Sequence, residues 1–306
     1  MSTLRIEPVT PDNVELLIRY CGQHGAEHDS SYLPGPGFEV TPQQPSYLLL
    51  SEGEVVGAAS LMLVPRYTRM GVGRFAILHS TRPEAEAYRA LHTAVRRHTG
   101  EVRKLFLFLP DHRAQTAAIL EGLGFAVERY SYVLRRAPAE AIAVTWPVGV
   151  VLEALAPGDT AGAGQFAACL NDSFARLAGH GDLSGDDLRA WFQEEDYLEG
   201  GILLLKQDGR PIGTMMVMQE SEDSEAVDVS ALGIVTARQG QGLGRRLLRY
   251  AIDFAARRGF HSVMLSVNAE NESALRLYLA EGFKPVETMV CYACRLDGEG
   301  TAGASP

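Results

Sequence analysis

"AVDVSALGIVTARQGQGLGRRLL" runs from Ala226 to Leu248. Ala226 to Thr236 is rich in β-branched and apolar residues and reads as a strand. From Leu247 onward, Leu248, Ala251, Ile252 and Ala255 recur at helical spacing, while Arg245, Arg246, Arg249, Asp253 and Arg257 take the other face. Gly240, Gly242 and Gly244 therefore stand in a strand-to-helix turn. Backbone amides at the start of a helix are unpaired and converge with the positive end of the helix dipole. Glycines there let a phosphate come close. The chemistry suggested is pyrophosphate binding. A P-loop needs lysine then serine or threonine after the last glycine, and here Arg245 and Arg246 follow. A dinucleotide loop needs G-x-G-x-x-G, and no third glycine has that spacing.

Working outward, the chain repeats itself. "YLLLSEGEVVGAASLM" (Tyr47 to Met62) and "ILLLKQDGRPIGTMMVM" (Ile202 to Met218) share a hairpin plan. "AAILEGLGF" (Ala117 to Phe125) matches "LRLYLAEGF" (Leu275 to Phe283), each a helix, a glycine and an aromatic that opens a strand. "RIEPVTPDN" from Arg5 resembles "VLEALAPGD" from Val151. The order is kept at an offset of about 150 residues, which means two copies of one domain. The fold class is α/β, each copy a central mixed sheet flanked by helices. The expected boundaries are 1–137 for the first domain, 138–147 for a linker bracketed by Pro138 and Pro147, 148–297 for the second, and 298–306 for a flexible tail.

Gln239-x-x-Gly242-x-Gly244 resembles the Q/R-x-x-G-x-G/A loop of the GCN5-related N-acetyltransferases (GNAT), and "NAENESALRLYLAEGF" (Asn268 to Phe283) resembles that family's second hallmark. The resemblance covers most of 149–296. It implies acetyl-CoA as co-substrate, with Gln239, Gly240, Gln241, Gly242, Leu243, Gly244 and Arg245 around the pyrophosphate. Gly233 and Ile234 would pair with pantetheine through their backbone, in a V between the strand ending at Ile234 and the one at Met264 to Val267. Asn271 would cap its helix and flank the same arm. Tyr278 would protonate the departing thiolate, or else pack the core. The acceptor amine attacks directly and must first lose a proton; Asp228 and Glu220 are the candidate bases, with solvated charge the alternative for Asp228.

In the first copy the loop position falls in "STRPEAEAYRAL" (Ser80 to Leu91), with no glycine, a proline and two glutamates. Ile119 and Leu120 replace the tyrosine. The first copy reads as degenerate. A tandem layout with a working second half is similar to that of the mycothiol synthases in this superfamily, a second reading; an acyl-CoA sensor without turnover is the third.

The net charge of -10 argues against nucleic acid and anionic membrane as partners. No apolar run reaches spanning length and no signal core opens the chain, so the expectation is cytoplasmic. The acceptor is a small-molecule amine, cationic if the acids of 171–200 form its rim and not merely a solvated surface; Trp191, Phe192 and Tyr197 either line that pocket or anchor a helix. Oligomeric state is open between monomer and homodimer. No metal is expected. Cys291 and Cys294 lie on a strand and face opposite sides, and Cys21 and Cys169 stand alone in helices. "HGAEH" (His24 to His28) has an H-x-x-E-H spacing but no evident third ligand, and reads as solvated or capping histidines. His79, His112, His180 and His261 read as surface or turn residues.

Overall fold

The structure is a computed structural model that describes residues 4–137, 140–177, 181–221 and 223–296. Pro138, His180 and the expected tail lie outside them. In chain order the elements are β1 (Leu4–Pro8), α1 (Val14–His24), β2 (Ser46–Ser51), β3 (Glu54–Met62), α2 (Pro65–Thr68), β4 (Val72–Ser80), α3 (Ala85–Arg96), β5 (Lys104–Pro110), α4 (Ala114–Gly122) and β6 (Ala126–Arg136). They continue with β7 (Val150–Ala154), α5 (Thr160–Phe174), α6 (Gly185–Trp191), β8 (Ile202–Gln207), β9 (Arg210–Gln219), β10 (Ala226–Ile234), α7 (Leu243–Arg257), β11 (Ser262–Asn268), α8 (Glu272–Ala280) and β12 (Lys284–Arg295). The second set repeats the order of the first, apart from the helices between the paired strands.

The described residues form two compact units: 4–130 with 288–296, and those within 131–287. The sequence boundaries at 137 and 297 differ from these. The reason is strand pairing. Ser131–Arg136 runs antiparallel to β11, from Ser131 opposite Asn268 to Arg136 opposite Val263. Met289–Arg295 runs antiparallel to β5. Each half's last strand thus completes the sheet of the other half, and hydrophobic periodicity cannot distinguish two edges of the same chemistry.

In the first unit β1, β2, β3 and β4 pair antiparallel in succession, and β4 then pairs parallel with β5. In the second, β7, β8, β9 and β10 do the same before β10 pairs parallel with β11. Both hairpins turn through two residues of positive φ, Glu52-Gly53 and Asp208-Gly209, the twist that suits a two-residue connection. One face of the second sheet buries Leu247, Leu248, Ala251, Ile252 and Ala255 of α7 with Val263, Leu265, Tyr278 and Phe283. Another cluster packs Phe166 and Leu170 of α5 with Leu188, Phe192, Met216 and Met218. Phe192 is buried and meets Tyr197 edge-on at 5.2 Å between ring centroids, so this pair anchors α6. All four cysteines are free and buried, with Cys291 and Cys294 in different clusters as strand alternation requires. Among the described residues no helix is long and apolar enough to cross a membrane.

A strand fork and an open glycine loop form the candidate active site

The parallel pairing of β10 with β11 covers Ala226, Val227 and Asp228 opposite Ser262, Val263 and Met264. Beyond Asp228 the β10 register to β9 is interrupted between Ser230 and Gly233, where Ala231 takes a φ of 49°. This bulge re-aims the end of the strand and leaves its β11 side unpaired, so a fork opens at Asp228. Gly213 makes the bend possible: a Cβ there would come within 2.9 Å of the Gly233 carbonyl oxygen and 2.7 Å of Ile234 Cδ1.

Past the fork lies the loop. Thr236–Arg238 forms one 3-10 turn, and α7 begins at Leu243. Gly240 and Gly242 have φ of 74° and 75°, and a Cβ on either would project into open space. Both glycines thus serve backbone conformation and leave the helix start uncovered. Gly242 stands at the N-cap without a side-chain acceptor, so the first amides of α7, from Leu243, Gly244 and Arg245, have no internal cap. Gln239 folds back and its Nε2 donates to the Ile234 carbonyl at 3.0 Å, tying the loop to the strand end. The Thr236 amide donates to Asp172 Oδ2 at 2.9 Å. Arg245 and Arg249 both hold Glu281, at 3.1 and 2.8 Å. Gln239 and Arg245 are therefore engaged by the protein itself, and the bare amides of Gly240 to Gly244 are what an anion meets. Such a cradle fits the pyrophosphate of acetyl-CoA.

Asn271 Oδ1 accepts from the Ala274 amide at 3.3 Å and caps α8. Tyr278 on α8 is buried, its ring 6.1 Å from that of Phe283. Its hydroxyl has no hydrogen-bond partner among the described residues, and burial pushes it up to about 12. Leu120 occupies the corresponding place on α4: Phe125 donates its amide to Leu120 as Phe283 does to Tyr278.

Asp228 is half-buried, the last paired residue before the fork. Its carboxyl is pushed up to about 7, first by loss of hydration and then by the charges of Glu220 and Asp196, against a hydrogen bond from Ser230. Asp196, held where its carbonyl accepts from the Gln219 amide at 2.8 Å, is itself pushed up by burial. Sequence reading paired Asp228 with Glu220 and missed Asp196; the only signal was an acid in an acid-rich segment.

A family model described as "Acetyltransferase (GNAT) family" matches residues 168–283. The mycothiol acetyltransferase of Thermomonospora curvata is 30% identical over 250 residues, 81% of each chain. The chain belongs to the GNAT acetyltransferase family. The mycothiol acetyltransferase of Cellulomonas flavigena is 28% identical over 76% of this chain and 66% of its own. Among solved structures, a tandem GNAT protein from the clavulanic acid biosynthesis pathway superposes with a TM-score of 0.71 at 16% identity, over 99% of this chain and 100% of the other. A GNAT protein from Sphaerobacter thermophilus gives 0.69 at 15% identity over 95% of each. At such identities the two structures share the fold. The tandem α/β architecture of this GNAT acetyltransferase agrees with the repeat in its sequence.

Proposed function

We propose that the second unit transfers the acetyl group of acetyl-CoA to the primary amine of a small, mycothiol-related acceptor, and that the first unit does no chemistry. The observation that carries the reading is the juxtaposition, along one strand, of a fork at Asp228 and an uncapped glycine-flanked helix start at Gly242. The shared name of the relatives supports the acceptor class. Asp196, Glu220 and Asp228 favour a cationic ammonium by charge.

The amides from Gly240 to Gly244 would hold the pyrophosphate, and the backbone of Gly233 and Ile234 the pantetheine arm beside Asn271. Acetyl-CoA supplies an activated thioester carbonyl. Asp228 takes one proton from the acceptor's ammonium, and Glu220 acts on it by raising its basicity. The nitrogen lone pair forms the new C–N bond, the C–S bond breaks, and the second nitrogen proton goes to solvent as the thiolate gains one. Tyr278 faces a thermodynamic limit as the donor. Its hydroxyl sits at about 12, whereas a thiol ionises near ~8.5, so complete transfer is uphill by about 5 kcal/mol. Tyr278 therefore stabilises the sulfur by a hydrogen bond while the charge develops. No step asks for a metal.

Calorimetric titration of the full chain with acetyl-CoA, beside Gly242→Glu and Gly244→Glu, tests the reading. One site per chain, lost in either variant, with CoA release on adding a mycothiol-related amine, is expected. Binding without release would leave an acyl-CoA sensor, and two sites would overturn the inactive first unit.

A further inference from the structure

The repeat equates His79 with Gly233. A Cβ on Gly57 would meet the His79 carbonyl at 3.0 Å and Leu49 Cβ at 3.2 Å, just as one on Gly213 would meet the Gly233 carbonyl and Leu205 Cβ. The first unit thus places an imidazole where the second keeps a bare backbone. His79 is buried, which corrects its reading as a surface residue. His24 and His28 are also not the solvated pair expected. Helix α1 stops at His24, Gly25–Glu27 makes one 3-10 turn, and His28 is buried in extended backbone.

This turn presents His24 and Glu27 to His79. Glu27 Oε1 lies 3.1 Å from His24 Nδ1, and Oε2 lies 3.4 Å from His79 Nε2. One ligand atom from each of the three residues falls within 4.8 Å of the others. Ligand bonds of ~2.0–2.1 Å in a tetrahedral site put neighbouring donors ~3.4 Å apart, so little movement would close these atoms on one ion. We propose that the first unit binds a divalent metal of the zinc class through His24, Glu27 and His79.

Three further observations fit. Tyr20 Oη lies 2.8 Å from His79 Nδ1 and 3.3 Å from the Val56 carbonyl. Such an outer hydrogen bond fixes the ring and leaves Nε2 as the donor atom for a metal. The buried Nε2 of His28 has no hydrogen-bond partner, and the ring stands edge-on to His79 at 5.8 Å between centroids. His24 and Glu27 are only half-buried, which leaves a path for an ion to enter. The charge opposing metal is Arg113, whose Nη1 donates to Glu27 Oε2 at 2.9 Å. Metal and guanidinium compete for one carboxylate, and this makes the proposal testable apart from simple unfolding.

The full chain, stripped with chelator and dialysed, is titrated with zinc chloride by calorimetry, with cobalt(II) absorption as a second readout. One zinc per chain is expected. His79→Ala and Glu27→Gln should weaken it by about tenfold or more. His112→Ala, at an exposed site, should not change it. Arg113→Ala should tighten it, a result that no damaged fold would produce. Absence of zinc binding, or binding that His79→Ala and Glu27→Gln leave unchanged while circular dichroism stays native, overturns the proposal. If His79→Ala fails to fold, Glu27→Gln and Arg113→Ala decide, and affinity unmoved by either also overturns it.

Discussion

Asp228→Asn should make the protein more stable and less active, and the gain in stability should depend on pH. The native carboxyl keeps its proton up to about 7, whereas in the unfolded chain it ionises above 3.8. Between those values the native state binds more protons, so stability falls as pH rises from about 4 to about 7 and is level beyond. Raising a carboxyl from 3.8 to about 7 disfavours the ionised form by about 4 kcal/mol, an upper bound because Asp228 is only half-buried. Asparagine keeps the shape and carries no charge. The stability advantage of the variant over the parent should therefore grow by about 1–3 kcal/mol between pH 5 and pH 8. Both tryptophans, Trp146 and Trp191, lie in the second unit, so urea unfolding followed by tryptophan fluorescence reports on it. In the same variant kcat/KM for the amine should drop by ~10²–10⁴-fold, and the acidic limb near pH 7 should vanish from its profile. A stability gap that does not change with pH would refute the electrostatic account of Asp228. An unchanged kcat/KM would remove it from the chemistry.

Tyr278→Phe should leave the acetyl-CoA affinity intact, since the hydroxyl holds nothing in the protein, and lower kcat by ~10–100-fold, the worth of a hydrogen bond to a charged sulfur; single-turnover CoA release checks it. Asn271→Ala removes the cap of α8 and should cost about 1 kcal/mol in urea unfolding. Gly213→Val forces side-chain atoms against the Gly233 carbonyl and should destabilise by about 1–3 kcal/mol while weakening acetyl-CoA binding in calorimetry. Burial pushes the thiols of Cys21, Cys169 and Cys291 to about 12 and that of Cys294 to about 11, so a thiol reagent at pH 8 should label none until the chain unfolds.

The glycine loop, the helix that follows it and the Asn-capped helix bearing Tyr278 were legible in the sequence, because each is built from neighbouring residues. Positive φ at Gly240 and Gly242 and the stripe from Leu247 to Ala255 need only local geometry. The duplication was legible for the same reason: two hairpins and two helix–Gly-Phe segments recur in one order.

Tertiary structure decided the rest. The segments from Ser131 and from Met289 are equivalent strands, and either would satisfy an open edge; which edge each completes depends on long-range pairing. Asp228 is an ordinary acid in the sequence, and it becomes a carboxyl near 7 only where burial takes water from it and the fold brings the charges of Glu220 and Asp196 near. His79 lies 59 residues from Tyr20, and its meeting with His24 and Glu27 follows from how β4 and the end of α1 pack. Sequence determines what a stretch can form by itself; burial, like-charge contact and ligand geometry are properties of residues far apart in the chain, and only the folded packing brings them together.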